Sequence, residues 1–272
     1  YYAPLAVNTE RLKRMFENED AVKSQAYAGD ISFIGSMYNE KHNLYDKLNG
    51  VNDYTKGYLD AIMKAQRSIY GYFFLEDMLK GDVLDEMLRV CPVKPNKDGV
   101  ETVQYVYANY FLARRMATDE RTDIMSRIGR ELGVKNKINL YTPDSAVKFI
   151  NVNNRGTVDY YNEMPYVFRN SRINLNITLR SIKSGIPLRC MDVCGAGGFL
   201  LSNYQEDLYD VFVPGEDMVI YDSIDDLMNK CKYYLSHDAE RRQIAQNGFG
   251  KIEERHTYDI RFEEIFDVVF NG

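Results

Sequence analysis

INLNITLRSIKSGIPLRCMDVCGAGGFLLS, residues Ile173–Ser202, decides the fold of this chain. Its first five residues alternate Ile173, Leu175 and Ile177 with Asn174 and Asn176, the two-residue period of a strand. Gly185 and Pro187 then turn the chain into a helix that runs to about Cys194, since proline suits a helix start, where its missing N–H is not needed. Gly195, Gly197 and Gly198 make a tight exit, and Phe199–Ser202 is apolar and strand-like again. Strand, helix and strand in this succession form a crossover unit, which joins parallel strands.

The same grammar extends in both directions. Met218–Tyr221 is a further short apolar strand, followed by helical patterns near Ile224–Leu235, Ala239–His256 and Ile260–Phe270. Upstream lie a short helix over Glu163–Asn170 introduced by Asn162, and strands over Lys148–Val152 and Ile138–Thr142. Asp30–Ser36 is a compact apolar run ending at Gly35-Ser36, with a helix expected from near Glu40. Strands alternating with helices of this length predict an α/β fold, a Rossmann-like parallel sheet with helices on both faces.

Between those strands stands an inserted helical layer over about residues 50–133. Tyr58, Ile62, Ala65, Ile69 and Phe73 recur at helical spacing, and Val83, Met87 and Leu88 continue the pattern after Gly81. Cys91–Gly99 holds two prolines and a glycine and is expected to be a loop. A helix is expected over Glu101–Met116, then a second one capped by Thr118, carrying Ile124, Ile128 and Leu132 and stopping at Gly133. The aromatic residues of this layer, among them Tyr72, Phe73, Tyr107 and Phe111, are expected to be core rather than a partner surface. Residues 1–29 read as a lead-in with a helix, and 30–272 as one domain carrying the insertion.

At 272 residues with 45% hydrophobic and 27% charged, the chain can bury an ordinary core and is not a disordered polymer. No apolar run is long enough to cross a bilayer, and the first residues lack the basic and apolar succession of a secretory signal, so a cytoplasmic setting is expected. A net charge of −6 and a pI near 5.3 exclude wholesale nucleic-acid binding, so a phosphate ligand needs a local basic pocket. The four cysteines, Cys91, Cys190, Cys194 and Cys231, are too scattered for a disulfide framework. Only three histidines exist and none is near Cys190 or Cys194 in sequence, so these are expected to be buried thiols rather than zinc ligands.

Chemistry concentrates where the central crossover begins. Arg180, Lys183 and Arg189 surround a helix start, with Gly185 and Pro187 shaping the turn, and helix N-termini present free N–H groups to anions. Three cations there, in an acidic chain, point to a diphosphate pocket; the alternative is surface charge balancing nearby acids. Asp192 lies three residues after Arg189 on the same helix face, placed either to accept ribose hydroxyls or to pair with Arg189. His42 and Glu163 are expected to be structural rather than catalytic bases.

The run GTVDYYNEMPYVFRNSRINLNITLRSIKSGIPLRCMDVCGAGGFLLSNY from Gly156, continued by NGFGKIEERHTYDIRFEEIF, resembles the C-terminal half of the CgeB-like glycosyltransferases, relatives of the group-1 GT-B enzymes. YAPLAVNTERL (Tyr2–Leu12) resembles that family's interdomain linker, and DISFIGSMY (Asp30–Tyr38) the first strand and loop of its C-terminal domain. The resemblance covers nearly the whole chain and is most specific at PLRCMDVCGAGGFLLSN.

That resemblance implies a donor-binding domain that takes a nucleoside diphosphate sugar for transfer to an acceptor of unknown kind. It implies Arg189, Lys41, Gly35 and Ser36 toward the donor phosphates, beside Lys183 and Arg180 read above, and Asp192, Gly156, Val158 and Tyr160 toward ribose and base, beside Gly185 of the turn. Aligned on Gly185 and Gly197, the family's pair of glutamates falls on Ser184 and Asp192, so the first carboxylate is absent and the second is shortened. No cofactor and no metal are expected, because no Asp-x-Asp pair suits Mg²⁺, and Asp225-Asp226 looks like an acidic first helical turn. The chain begins at what resembles the linker, so little turnover is expected without an N-terminal domain. The alternative function is a non-catalytic spore-surface or coat-assembly module keeping the fold; an epimerase would want pocket carboxylates and histidines that the sequence does not offer.

Overall fold

Apolar runs too short for helices pair side by side in the computed structural model, which describes residues 3–17, 21–39, 43–97 and 99–270. Six strands, β1 (Gly29–Ile34), β2 (Ile138–Tyr141), β3 (Val152–Asn154), β4 (Ser171–Asn176), β5 (Leu200–Asn203) and β6 (Val219–Tyr221), form one parallel sheet in the order β3-β2-β1-β4-β5-β6. That order reverses between β1 and β4, the switch point of a doubly wound sheet. Ile31 pairs with both Ile138 and Ile173, and Leu201 with both Leu175 and Val219, so the central strands are buried on both faces.

The helices in chain order are α1 (Thr9–Glu17), α2 (Ala21–Tyr27), α3 (Asp53–Arg67), α4 (Leu75–Met78), α5 (Gly81–Val90), α6 (Val103–Val106), α7 (Ala113–Glu131), α8 (Met164–Asn170), α9 (Leu188–Gly195), α10 (Ile224–Ser236), α11 (Asp238–Arg255) and α12 (Tyr258–Phe270). The chain divides into two compact units: residues 1–35, 125–178 and 184–272 hold the sheet, and residues 36–124 with 179–183 are helical.

In the sheet unit the core gathers Phe168, Cys190, Met191, Leu200, Phe212 and Ile252 with their neighbours. The asparagines of β4 are not on a solvated face. Asn174 Nδ2 donates to the carbonyl of Phe168 at 2.9 Å, and Asn176 Nδ2 donates to Ser202 Oγ at 2.9 Å. At the last residue of β5, Asn203 accepts from the Thr178 amide at 2.8 Å and donates to its carbonyl at 3.0 Å. Buried polar side chains thus complete the backbone pairing and fix the carboxyl ends of β4 and β5.

The helical unit packs Leu59, Leu75, Met87, Tyr107, Phe111 and Leu112 together. Its aromatics divide: Phe73, Tyr107 and Phe111 are core, whereas Tyr72 is 63% exposed.

Several sequence-based expectations need correction. The stripe ending at Ile69 and Phe73 does not lie on one helix. α3 stops at Arg67 and buries Thr55, Leu59, Ile62, Met63 and Gln66, while Ala65 and Ile69 face solvent. The buried Gln66 amide ends it, donating to the Tyr72 carbonyl at 2.7 Å and accepting from the Phe74 amide at 2.8 Å, which holds 69–74 in a non-helical path. Thr118 does not cap a new helix. α6, a π-helical stretch Tyr107–Leu112 and α7 run as one rod, and Thr118 Oγ1 donates to the Arg114 and Tyr38 carbonyls.

The strand expected over Lys148–Val152 begins only at Val152. Ile150 is 68% exposed and Asn151 has φ of 56°, because the turn before β3 lies directly on α7. A Cβ on Gly129 would stand 2.1 Å from the Ile150 carbonyl oxygen, and one on Gly133 2.6 Å from that of Asn151. The last two strands start one residue later than expected, at Leu200 and Val219. The helix expected from Glu40 lies outside the described residues.

Candidate functional site

Asparagine, aspartate and glycine build the loop that precedes α8. Asn154 Oδ1 accepts from the Gly156 amide at 3.0 Å, with Gly156 at φ of 74°, a left-handed conformation that glycine adopts without cost. Asp159 Oδ1 accepts from the amides of Tyr161 and Asn162 at 3.1 and 2.7 Å. Glu163 accepts from the Asp159 amide at 2.7 Å and from Tyr27 at 2.6 Å, which makes it a bracket for the loop. Those bonds hold the Glu163 carboxyl below the usual range, while burial and Glu163 push the Tyr27 phenol up to about 12. Val158 packs against the core and Tyr160 stands at the loop tip.

From the other side comes α9. Pro187 is its cap residue, and Arg189 and Asp192 occupy successive turns of one face, one turn apart. Tyr160 OH donates to Asp192 Oδ1 at 2.9 Å, so the loop and the helix are joined through a phenol and a carboxylate. Burial pushes the Asp192 carboxyl above its ordinary value, opposed by the Tyr160 hydrogen bond and by the charges of Arg189 and Arg11. Burial likewise lowers Arg189. The Arg189 guanidinium lies 5.3 Å from the Phe168 ring centroid and donates to Met164 Sδ. The intrahelical pairing with Asp192 that the spacing allowed does not form, because Asp192 is turned to Tyr160. No carboxylate among the described residues stands within ion-pair distance of Arg189.

A third wall is the segment from Ala6 to Leu12. Val7 donates to the His256 carbonyl at 2.8 Å, and Asn8 caps α1 through the Arg11 amide at 3.0 Å. Close approach of α9 to this segment requires Gly195, whose Cβ would stand 2.6 Å from Val7 Cγ1. The walls enclose a cavity of about 160 Å³ lined by Asn8, Arg11, Tyr160, Met164, Asp192 and Tyr258, among others. Arg11 donates to the Tyr161 carbonyl at 2.7 Å. Sequence reasoning missed Arg11 and Tyr258, since they lie at the two ends of the chain; the Asn8 cap is the one local signal pointing at that segment.

The remaining candidates are placed as follows. Gly185, at φ of 94°, donates its amide to Asp207. The Gly35 amide is taken up by the Tyr141 carbonyl at 3.0 Å, continuing the β1–β2 ladder. Ser36, Arg180 and Lys183 belong to the helical unit. There Arg180 pairs with Glu120 at 2.6 Å, both side chains only 4% exposed, and its guanidinium carbon lies 3.2 Å from the Tyr70 ring centroid. Lys183 pairs with Glu76 at 3.0 Å, and the Ser36 carbonyl accepts from Arg121. The three cations expected around the helix start therefore have different partners: a buried glutamate for Arg180, a more accessible one for Lys183, and, among the described residues, the Met164 thioether and the Phe168 ring rather than a carboxylate for Arg189. Lys41 and His42 lie outside the described residues. Among the described residues no group of three or more His, Cys, Asp or Glu side chains is arranged to hold a metal ion, and no helix is long and apolar enough to cross a membrane.

A profile of the family described as glycosyl transferase-like matches residues 121–267. Among solved structures, the trehalose-6-phosphate synthase OtsA is similar at 14% identity and a TM-score of 0.50, over 98% of this chain and 50% of that one. A C-terminal domain of a glycosyl transferase group 1 family protein from Francisella tularensis is 14% identical with a TM-score of 0.43, over 93% of this chain and 99% of that one. A sucrose-phosphate synthase from Thermosynechococcus elongatus is 11% identical with a TM-score of 0.47, over 99% of this chain and 52% of that one. The chain thus spans about half the length of the two synthases. No curated protein matches the sequence.

Proposed function

Since the chain belongs to the glycosyl transferase-like family, we propose that its sheet unit binds the nucleoside diphosphate part of a sugar donor, as the donor-binding half of a CgeB-like GT-B glycosyltransferase. The observation that carries this reading is Arg189: a half-buried guanidinium that meets a thioether and an aromatic ring but, among the described residues, no carboxylate at ion-pair distance, one turn from a carboxylate on a cavity wall. A buried cation is costly unless an anion meets it, and a donor phosphate supplies that anion. Asp192 and Tyr160 then take ribose hydroxyls. At about 160 Å³ the cavity is well below the roughly 300 Å³ of a whole-ligand site, so it admits one ring-sized moiety and leaves the rest of the donor outside.

In transfer, negative charge grows on the departing diphosphate as the anomeric bond breaks. Arg189 and the free amides at the start of α9 stabilise that charge without rearranging. Donor binding in this reading uses no metal ion. The sugar acceptor and the activity of the whole protein belong to the same proposal, since this chain spans half of its longer structural neighbours.

The test is thermal unfolding with UDP, GDP, ADP, CMP and dTDP, with and without EDTA, on the chain and on Arg189→Ala and Asp192→Asn. A nucleotide at about 100 times its dissociation constant adds about 2.7 kcal/mol. The expected result is a base-selective rise that survives EDTA and is lost in Arg189→Ala. Absence of any rise with a folded chain, or a rise abolished by EDTA, overturns the reading.

A further inference from the structure

The corner between α11 and α12 turns on one histidine. His256 ends α11 with φ of −132° and ψ of 31°, and is buried. Its amide donates to the Ile252 carbonyl at 2.9 Å, and its carbonyl accepts from the Val7 amide at 2.8 Å, beside a parallel bridge between Val7 and Thr257. That pairing ties the segment from Ala6 to Leu12 to the end of α11. Ala6, Val7, Asn8, Arg11 and Leu12 line the Tyr160–Asp192 cavity from this segment, and Tyr258, the first residue of α12, lines it too.

The His256 ring meets α12. Arg261 Nη2 stands 2.9 Å from His256 Nδ1, and Arg261 Nη1 donates to Glu264. Within α12, Arg261 is the one buried residue, so the fastening of that helix centres on this contact. A guanidinium donates hydrogen bonds, accepts none and keeps its proton. His256 Nδ1 is therefore the acceptor, and the neutral ring carries its hydrogen on Nε2.

Protonation of the ring takes that acceptor away and sets two cations face to face where little water reaches them. The charges around the ring are Arg261 and Glu264 on α12 and Arg255 and Lys251 on α11, while the Ala6–Leu12 segment meets His256 through the Val7 backbone. Three of those four are positive, and the fourth, Glu264, is engaged by Arg261. Burial first, then Arg261, hold the ring below its ordinary value of 6.5. A ring freed from the corner titrates at the ordinary value. As pH falls below it, the freed form therefore gains on the held one by up to about tenfold per pH unit, until the held ring is itself protonated.

We propose that His256 and Arg261 form an acid-sensitive latch: protonation of His256 releases α12 and the Ala6–Leu12 wall from the end of α11 and opens the Tyr160–Asp192 cavity. The inference concerns the wall and not its ligand, so it does not depend on the glycosyltransferase reading.

Amide hydrogen exchange between about pH 8 and about pH 5 tests it, expressed as protection relative to a free peptide so that the intrinsic pH dependence of exchange cancels. Proton–nitrogen NMR of the His256 ring accompanies it, on the chain and on His256→Asn, which keeps an acceptor for Arg261 and never protonates. The expected result is a neutral ring with its hydrogen on Nε2, and Val7 protection that falls with acidification by up to about tenfold per pH unit. Leu201 in the interior strand β5 keeps its protection, and Val7 in His256→Asn stays level. Asp192, and Glu253 paired with Lys13 at 2.7 Å, are still present in that variant, so an equal fall there belongs to carboxylates and overturns the inference. So does Val7 protection that stays level in the parent while His256 titrates, or a neutral ring with its hydrogen on Nδ1; these two readings need no variant.

Discussion

Tyr160 and Asp192, 32 residues apart in sequence, are joined by a 2.9 Å hydrogen bond from the phenol to Oδ1. The bond closes the loop before α8 onto α9 across one wall of the small cavity. Tyr160→Phe removes the donor and leaves Asp192 with less to offset its burial. The Asp192 carboxyl then moves further up, and the sheet unit loses about 0.5–1.5 kcal/mol. Carboxyl-carbon NMR titration of Asp192 reads the first effect and urea unfolding the second. An unchanged Asp192 titration would remove Tyr160 from the site.

The sign of the pH effect follows from the same shift. Asp192 is raised in the native state, so the native chain holds that proton more tightly than the unfolded one. Its contribution to stability is fully present below the unfolded value and is lost as pH rises through the folded one. Asp192→Asn keeps a neutral acceptor for Tyr160 and never ionises. Relative to the parent, the variant therefore gains stability as pH climbs through that window, read from unfolding midpoints across a pH series. A parallel pair of curves would contradict the burial of Asp192.

Arg180 and Glu120 predict the opposite kind of behaviour. They form a 2.6 Å pair with both side chains 4% exposed. Removing one partner strands the other charge in the helical unit, so Arg180→Met or Glu120→Leu alone costs about 3–5 kcal/mol. The double variant recovers most of the loss, because neither charge is then left without its partner. A double-mutant cycle in guanidinium chloride reads the coupling. Purely additive single losses would show that the pair is not a unit, and would leave Arg180 available for a ligand as the sequence first suggested.

What was legible beforehand was whatever local spacing encodes. The alternation of Ile173 to Ile177, with Gly185 and Pro187 behind it, identified a crossover and hence the parallel sheet with helices on both faces that the structure has. Partners far apart in sequence left no such mark. The Glu120 that neutralises Arg180 lies 60 residues upstream, and the cavity walls Arg11 and Tyr258 come from opposite ends of the chain. The displaced start of β3 had the same origin. Ile150 reads as a strand residue by type, yet its backbone rests on Gly129 of a helix that precedes it.

Gly129 makes that contact testable beside an internal control. Alanine there places a Cβ 2.1 Å from a backbone oxygen, which must move, and overpacking against backbone costs about 1–3 kcal/mol or more. Gly57, inside α3, has nothing within 4 Å of its Cβ position. Gly57→Ala therefore stabilises the helical unit by about 0.5–1 kcal/mol. Denaturation of the two variants should move in opposite directions. A harmless Gly129→Ala would mean that the turn before β3 does not rest on α7.

The cysteines offer a measure of how tightly the sheet unit is closed. Cys190, Cys194 and Cys231 are at most 1% exposed, and burial pushes the Cys190 and Cys231 thiols up to about 12 and Cys194 well upward. The thiolate is the reactive form, so these three should be inert in the native state. Cys91, half-buried at the end of α5, is accessible to reagent. In native buffer an aromatic disulfide reagent is expected to label one thiol rapidly and the other three only as fast as the sheet unit opens, and Cys91→Ser should abolish the fast phase. The slow phase then reports opening around α9, the helix that carries Arg189 and Asp192. A nucleotide bound there should slow Cys190 and Cys194 further, since a ligand that binds only the closed form suppresses opening. Labelling of Cys190 at an unaltered rate in saturating nucleotide would place that ligand away from α9.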